Sequence, residues 1–411
     1  MNRILTYFVA ALALLTACTT ENVLEEVEDI SGSTDAMRFT GTSTEEEEVH
    51  NSRASRPLTT GFAVSAYKAY LDPAGKQQTV MQDYRVDYRV DGWNNNSLWE
   101  YAGVQGFTEK QYTKFWDYAN FPYRFHAIAP CPERQTDFVL SDQALDIKVP
   151  YYYQTCVDGL VSTRDAAQQL TAAAAEPHLI AQVQRATDGT DKDIFNARAI
   201  NTATTTRNRD VWMPFHHVNA KIRFGIYSTF EWTTYNRLYI EDLVVNVTSP
   251  NFVTTAAGYK TDGTTSWRND NGFYGTTSIA TAAEHTTPLF TFSGGESVEG
   301  NDLRDHQGQS SAYMLLCTDG FVQIPQKNVQ MSVSFKLMDE SHNVFKEYVD
   351  VPIEVRLPDG SLQPLHNWQA GYLHTYYLVL GGLPDKLEVF FTATLSEWED
   401  ITGQLETDLE K

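Results

Sequence analysis

The sequence has few basic residues and, after residue 18, no long apolar run. Its 411 residues include 31 Lys and Arg against 53 Asp and Glu, which gives a formal net charge of -22. Nucleic acids and anionic lipid surfaces bind clustered positive charge, so this balance argues against both as partners. No segment beyond residue 18 reaches the roughly 18 consecutive apolar residues of a membrane-spanning helix.

Cysteines are too few and too scattered for a disulfide framework or a metal knuckle. Besides Cys18, the chain has Cys131, Cys156 and Cys317, an odd number with no short spacing between any two of them. We expect buried or free thiols at these three positions. A bridge between Cys131 and Cys156 is the alternative.

Sequence motifs of catalysis, metal binding and phosphate binding are also absent. The chain has no Gly-x-Ser-x-Gly, His-Glu-x-x-His, glycine-rich phosphate loop or EF-hand pattern. His216 and His217 are adjacent, so on a strand they face opposite sides and are poorly placed to share a metal ion. The acidic run at residues 45–48 lacks the ligand spacing of a calcium loop, which indicates a solvated charge run. The sequence therefore predicts no enzyme, no cofactor and no metal site.

The N-terminal segment has the pattern of a bacterial secretion signal. Asn2 and Arg3 precede an apolar run over residues 4–15, and small residues stand directly before Cys18. The apolar run is too short for a permanent membrane helix. A cysteine in this place resembles the lipobox of bacterial lipoproteins, in which Cys18 receives the lipid, and a plain secretory signal is the alternative. We predict a signal peptide at residues 1–17 and lipid on Cys18.

Residues 18–55 form an acidic tether that contains one strand-like island. The island, residues 36–40, is short and alternates apolar with polar side chains. A basic patch follows at residues 52–56 within acidic surroundings. Exposed segments of this kind are where proteases cut. The tether is therefore expected to be solvated and open to processing.

Strand patterning dominates the rest of the chain. Runs such as residues 62–67, 84–90 and 221–227 alternate apolar with polar side chains or are bounded by turn residues, and aromatic residues make up 12% of the chain. Short strands without intervening helices predict an all-β chain of antiparallel β-sandwiches. The chain is long enough for two domains. We predict an N-terminal sandwich at residues 56–210 and a C-terminal one at residues 211–411.

Three other segments have distinct patterns. Residues 165–175 predict one short helix, because four alanines precede Pro177. The polar residues 185–209 predict an interdomain or long loop. The Gly- and Thr-rich residues 251–295 predict a long surface excursion.

Aromatic residues in the N-terminal half allow two interpretations. The residues concerned are Trp93, Trp99, Tyr101, Trp116 and Tyr118. Exposed on one face, they would form a platform for sugars, and the chain would be a surface glycan-binding lipoprotein of a polysaccharide-uptake system. We prefer ordinary core packing, because Trp and Tyr bury large areas in sandwiches. An extracellular hydrolase is disfavoured, since no carboxylate pair or nucleophile motif is recognisable.

Several segments, taken in order, resemble the fimbrillin family of Bacteroidetes type V pili. They are the lipobox at Cys18 and residues 37–39, 52–54, 62–66, 115–117, 123–127, 214–224, 367–376 and 397–398. The resemblance implies two tandem, transthyretin-like β-sandwich domains and a structural and adhesive pilus subunit. It also implies three kinds of partner: other pilus subunits, the outer membrane through the lipid on Cys18, and a host protein or glycan receptor.

The resemblance further implies a way of assembly. In the family a lipoprotein precursor is cut after an arginine, which removes the tether together with the first strand. An extended segment of the next subunit then fills the open groove. Here the cut would separate Arg53 from Ala54, since Pro57 makes the bond after Arg56 a poor one for trypsin-like cleavage. Stalk, tip and anchor positions all remain open, and an anchor would keep its lipid.

The C-terminal tail is the candidate donor of that extended segment. Ile401, Leu405 and Leu409 lie on one face if the tail is a strand, with polar residues at the alternate positions. The alternatives are that these three residues line one side of a short helix or that the tail frays.

Overall fold

The structure, a computed structural model, describes residues 36–40, 61–69, 77–88, 99–142, 144–163, 178–194, 198–201, 210–229, 237–261, 272–279, 288–295, 303, 314–317, 320–383 and 386–397. These residues contain no α-helix, and Gln135–Asp137 form a 3-10 helix. The all-β prediction is confirmed. The helix predicted at residues 165–175 lies outside the described residues. Among those that are described, no helix is long and apolar enough to cross a membrane.

The first half of the chain contributes fifteen of the described strands. They are β1 (Phe39–Thr40), β2 (Phe62–Ala69), β3 (Gln77–Tyr88), β4 (Trp99–Glu100), β5 (Tyr123–Ala129), β6 (Phe138–Leu140), β7 (Leu145–Ile147), β8 (Tyr151–Tyr152), β9 (Gln154–Val157), β10 (Leu160–Thr163), β11 (Leu179–Arg185), β12 (Asp191–Asp193), β13 (Arg198–Asn201), β14 (Val211–Trp212) and β15 (His216–His217). Most of them belong to one N-terminal sheet with the order β13–β12–β11–β5–β2–β3–β4, in which β15 also pairs with β11.

The second half contributes the remaining seventeen. They are β16 (Ala220–Ser228), β17 (Leu238–Val247), β18 (Phe252–Ala256), β19 (Gly258–Thr261), β20 (Phe273–Tyr274), β21 (Thr277–Ile279), β22 (Phe290–Gly294), β23 (Met314–Leu315), β24 (Phe321–Gln323), β25 (Gln326–Val329), β26 (Met331–Asp339), β27 (Val344–Pro352), β28 (Val355–Arg356), β29 (Leu362–Gln363), β30 (His366–Trp368), β31 (Tyr372–Leu383) and β32 (Lys386–Glu397).

The N-terminal sheet is buried on both faces, because its central strands carry apolar residues at successive positions. Phe62 and Phe125 point to one face, in a cluster that we call the N-terminal core. Ala63 and Ile128 point to the other face, where they pack with β6 and β7 in a separate middle core. Strands that are covered on both sides lose the simple alternation of a half-exposed sheet.

The C-terminal half forms a sandwich of two sheets. One sheet has the order β10–β9–β22–β17–β26–β27, and the other has the order β23–β16–β31–β32–β28–β29, with β24 also paired to β16. Phe224 and Leu378 of the second sheet meet Val245 and Phe335 of the first in a shared C-terminal core. Face-to-face packing of this kind is the way in which two amphipathic sheets bury their apolar sides.

Two segments that carry the family resemblance lie side by side in this sandwich. Strand β16, which begins within residues 214–224, pairs in parallel with β31, which begins within residues 367–376, and Lys221 is opposite Leu373. The Gly371 N–H also donates to the Asn219 carbonyl at 2.8 Å. Lys221 and Leu373 are 152 positions apart in sequence, so no local pattern links the two segments.

Strands of the first half also pair with strands of the second. Strand β9 pairs in parallel with β22, and β7 pairs with β19. The boundary that we predict between residues 210 and 211 stays a prediction, and the hydrogen-bonded sheets cross it.

The structure corrects two loop predictions. Strands β18–β22 lie within residues 251–295, and Phe252, Tyr259 and Phe290 are buried there, so the predicted surface excursion is wrong for the described part of this segment. Thr and Gly at the intervening positions hide the strand pattern. Strands β12 and β13 lie within residues 185–209 and extend the N-terminal sheet, so the loop prediction is wrong there as well.

Candidate functional site

The candidate site is the groove that holds residues 36–40, the island between the tether and the folded body. Strand β1 pairs in parallel with β14, with Phe39 opposite Val211. On its other side Ala36 forms an antiparallel bridge with Phe115. The short segment therefore lies between two backbone neighbours from distant parts of the chain.

Backbone hydrogen bonds fix the segment on both sides. The Met37 N–H donates to the Lys114 carbonyl at 2.7 Å, and the Val211 N–H donates to the Arg38 carbonyl at 2.8 Å. If residues 36–40 left, the Lys114 carbonyl and the Val211 N–H would lose these partners. Unpaired groups of this kind are what an added strand binds.

Apolar side chains of the segment are buried in the N-terminal core. Ala36, Met37 and Phe39 are each 1% exposed. The Phe39 ring centroid lies 6.1 Å from that of Phe62 and 5.8 Å from that of Phe125, and both rings meet it edge-on. Full burial of a Met or Phe side chain contributes roughly 1.5–3 kcal/mol. Met37 and Phe39 are therefore the two anchors of the segment.

The Tyr101 side chain bonds both to the segment in the groove and to the backbone beside it. Its hydroxyl donates to the Met37 carbonyl at 2.9 Å and accepts from the Lys114 N–H at 3.0 Å. Its ring centroid lies 5.8 Å from that of Phe39. Burial raises the pKa of Tyr101 above its usual range, so the hydroxyl keeps its proton and remains a donor.

A buried ion pair supports the strand opposite β1. Arg185 Nε and Nη2 donate to Asp191 Oδ1 and Oδ2 at 2.7 and 2.8 Å, and neither side chain is exposed. Arg185 Nη2 also donates at 3.0 Å to the carbonyl of Asp210, the residue that precedes β14. The guanidinium carbon lies 4.7 Å from the centroid of the Trp116 ring. Arg185 therefore connects β12 with the residue that precedes β14.

The ion pair between residues 36–40 and the residue that precedes β14 is weak. Arg38 Nε lies 4.0 Å from Asp210 Oδ1, and both side chains are more than a third exposed. Exposed ion pairs contribute about 0–1 kcal/mol. Burial raises the pKa of Asp210. Retention of the first strand thus depends on burial and backbone pairing.

Three segments behind the family resemblance meet at this groove. Residues 62–66 and 123–127 supply Phe62 and Phe125, and residues 115–117 lie beside Ala36. The local pattern predicts a strand at residues 36–40 but gives no signal that Tyr101, Arg185 and Asp191 support it. A buried Arg–Asp pair has no apolar pattern, so hydrophobic periodicity gives no signal for it.

The processing and assembly residues predicted from the sequence are not covered by the structure. Cys18, Arg53, Ala54, Ile401, Leu405 and Leu409 all lie outside the described residues. Their roles stay predictions. By sequence position, Arg53 lies in the connection of residues 41–60 between β1 and β2.

The aromatic residues do not form a sugar platform in the described part of the chain. Trp99, Tyr101 and Trp116 are 4 to 6% exposed and belong to the N-terminal core. Tyr118 is 38% exposed, and its ring stacks on Phe121 with 6.4 Å between centroids. Trp93 lies outside the described residues. Core packing is thus confirmed for the three buried residues.

The adjacent histidines face opposite sides, as their spacing predicts. His217 is buried, and burial holds its pKa well below its usual range. His216 is half-buried, and its Nε2 lies 3.1 Å from Asp193 Oδ2. Among the described residues, no group of three or more His, Cys, Asp or Glu side chains is arranged to hold a metal ion.

The cysteines are arranged differently from the alternative that the sequence left open. Cys156 Sγ lies 3.0 Å from Cys317 Sγ in the C-terminal core. Cys131 packs against the middle core, where burial raises its pKa to about 11. The structure does not bring Cys131 and Cys156 together.

Known structures similar to this one are Bacteroidetes fimbrial and cell adhesion proteins. A fimbrial protein from Bacteroides vulgatus is 14% identical, with 82% of this chain and 92% of that chain covered and a TM-score of 0.41. A candidate cell adhesion protein from Bacteroides uniformis is 12% identical, with 89% and 97% covered and a TM-score of 0.38. A fimbrial assembly protein from Parabacteroides distasonis is 13% identical, with 82% and 91% covered and a TM-score of 0.29.

At these identities and TM-scores the similarity carries no inference about activity. No protein-family model and no curated protein sequence matches the chain.

Proposed function

We propose that the chain is a structural and adhesive subunit of a type V pilus. It is exported as an outer-membrane lipoprotein precursor, cut after Arg53 and polymerised by strand exchange. Cleavage would detach the tether with residues 36–40, and a strand of a neighbouring subunit would take their place.

The observation that supports the proposal most is the placement of residues 36–40. They pair with β14, bury Met37 and Phe39 in the N-terminal core, and precede the connection that contains Arg53. The segment is therefore held to the folded body by noncovalent contacts and, covalently, by the connection of residues 41–60. One cut within that connection is sufficient to make the segment replaceable.

The groove has the chemistry of a strand acceptor. Departure of the segment would expose backbone groups at Lys114 and Val211 together with a pocket formed by Phe62, Tyr101 and Phe125. Such a groove binds an extended segment by main-chain hydrogen bonds and by apolar side chains at alternate positions. Ile401, Leu405 and Leu409 offer apolar side chains on one face of a strand, which agrees with this requirement.

The experiment that tests the proposal is N-terminal analysis of the protein recovered from the cell surface. A fibre-associated chain that begins at Ala54 and carries no lipid is the expected result for a stalk or tip subunit. A lipidated chain that begins at Cys18 and occurs at the base of fibres identifies an anchor. A lipidated chain that never occurs in fibres contradicts the proposal. It would favour the alternative of a glycan-binding lipoprotein.

A further inference from the structure

Two buried cysteines from distant parts of the chain meet inside the C-terminal core. Cys156 Sγ and Cys317 Sγ lie 3.0 Å apart, although 161 positions separate them in sequence. Cys156 is fully buried, and Cys317 is 2% exposed. Because a disulfide bond is about 2.0 Å long, the sulfur atoms need to approach by only about 1 Å to form one.

Backbone and side-chain hydrogen bonds hold the two cysteines in this arrangement. Cys156 pairs with Phe290 on β22. On the facing sheet, the Leu316 N–H beside Cys317 donates to the Phe224 carbonyl at 3.0 Å. Gln154 joins the two sides, since its side-chain oxygen accepts from the Val322 N–H at 2.6 Å. The close approach of the sulfur atoms thus follows from fixed strands.

Cys156 belongs to a hairpin whose outer strand, β10, lies at the edge of its sheet. Strands β9 and β10 are connected by Asp158 and Gly159, whose φ angles of 48° and 78° are those of a type I′ turn. Strand β9 joins β22 over two residues, and β10 is at the edge of the sheet. Leu160 in β10 is 74% exposed. An edge with little pairing and little burial is where a sheet opens first.

We propose that Cys156 and Cys317 form a disulfide bond that ties the β9–β10 hairpin to the facing sheet of the C-terminal sandwich. Cys131 stays a thiol, because it packs against the middle core. The bond is a covalent cross-link between Cys156 in the first half of the chain and Cys317 in the second half. It depends on export to an oxidising compartment, as proposed above, and it does not depend on cleavage or assembly.

The chemistry is thiol–disulfide exchange. The two S–H bonds break and one S–S bond forms, while two electrons and two protons pass to the disulfide of an extracytoplasmic thiol oxidant, which becomes a dithiol. In the folded chain, the hydrogen bond with Cys317 and burial raise the pKa of the Cys156 thiol. Since the thiolate is the attacking species, the exchange takes place during folding, before the sandwich closes.

Peptide mapping of the full chain from producing cells tests the proposal directly. The protein is denatured in an alkylating reagent without reductant, digested and analysed by mass spectrometry. The expected result is a linked pair of peptides that contain Cys156 and Cys317, together with alkylated Cys131. Alkylation of all three residues overturns the proposal.

A refolding experiment separates this proposal from the proposal of export. The denatured, reduced chain is refolded in a buffer of reduced and oxidised glutathione and mapped in the same way. A bridge between Cys156 and Cys317 supports the geometry independently of the compartment. If both samples contain only thiols, the geometry is wrong, and if only the cellular sample does, export to an oxidising compartment is wrong.

Three variants give a second readout. Dithiothreitol is expected to lower the Tm of the wild type and of C131S, and to leave the Tm of C156S and C317S unchanged. An equal response of all four proteins to the reductant contradicts the proposal. Should C156S or C317S fail to fold, the mapping of the wild-type chain still decides the question.

Discussion

The Tyr101 hydroxyl lies between the Met37 carbonyl, at 2.9 Å, and the Lys114 N–H, at 3.0 Å. One side chain of the folded body therefore connects the first strand with the segment beside it. We expect Tyr101→Phe to lower the free energy of unfolding of the uncut chain by about 1–3 kcal/mol, because the buried Met37 carbonyl and the half-buried Lys114 N–H each lose a partner. Urea unfolding measures this change.

Tyr112→Phe is the matched control for that variant. Tyr112 is 63% exposed, so the loss of its hydroxyl is expected to leave the unfolding curve unchanged. Amide hydrogen exchange localises the effect, since the Met37 and Val211 amides donate across the groove. Unchanged exchange at both amides in Tyr101→Phe would show that the hydroxyl does not retain the strand.

Phe39→Ala is expected to lower the stability of the precursor and to leave the stability of the mature subunit unchanged. Phe39 is 1% exposed and meets three aromatic rings, so its truncation in the uncut chain should cost about 3–5 kcal/mol. If cleavage removes residue 39, fibres made from this variant should dissociate at the wild-type temperature. Phe62→Ala is the control that lowers the stability of both forms, since Phe62 stays in the core. Weakened Phe39→Ala fibres would mean that the first strand is retained.

Because His126 is buried with a lowered pKa, we expect the protein to lose stability in acid. Burial, and secondarily the charge of Arg124, lower its pKa from 6.5 to about 4, and Gln182 Nε2 lies 2.8 Å from its Nδ1. As the pH falls, the unfolded chain takes up the proton first. The free energy of unfolding is therefore expected to decrease between about pH 6.5 and pH 4, by up to about 3 kcal/mol.

His126→Gln isolates this effect from the titration of carboxyl groups. Urea unfolding at pH 7 and at pH 4.5 should show a smaller loss in His126→Gln than in the wild type. His342→Gln, at an exposed turn, should behave as the wild type does. Equal losses in His126→Gln and the wild type would contradict the prediction.

The local sequence pattern was sufficient to locate β2 and β16, because each presents its aromatic and β-branched residues to a core. It was not sufficient for β12, whose buried residues are Asp191 and Asp193. The Asp191 carboxylate is buried only because Arg185, on another strand, pairs with it. A partner that is set by tertiary structure leaves no local pattern.

The groove was predictable in part for the same reason. Residues 36–40 have a local strand pattern, but no local pattern identifies the segments that pair with them. Val211 is opposite Phe39 through a parallel pairing across 172 positions, which depends on the path of the whole N-terminal half. Likewise, Cys156 meets Cys317 across two facing sheets, whereas the sequence predicts buried or free thiols, with a Cys131–Cys156 bridge as the alternative.

Arg53→Ala tests the processing step. We expect the variant to stay lipidated and unpolymerised, because the connection of residues 41–60 keeps the first strand attached to the groove. Immunoblots of membrane and fibre fractions measure this distribution. Arg56→Ala is the control, since Pro57 makes the following bond a poor one for cleavage, and it should give wild-type fibres. Normal fibres from Arg53→Ala would place the cut elsewhere or remove it from the mechanism.

Deletion of residues 400–411 tests the donor strand. The deletion is expected to abolish polymerisation and to leave the Tm of the monomer unchanged, since a donor strand contributes only to the neighbouring subunit. Electron microscopy of fibres and thermal unfolding of the monomer measure the two effects. Assembly that survives the deletion would exclude the tail as donor.

Face-specific variants of the tail test whether assembly depends on its apolar face. Replacement of Ile401, Leu405 and Leu409 by Ser removes the apolar face of a strand, and replacement of Gln404, Glu406 and Glu410 by Ser leaves it intact. If the tail fills a groove as a strand, the first set blocks assembly and the second does not. Equal loss of assembly in both sets would mean that the tail acts through its length or charge and not through one apolar face.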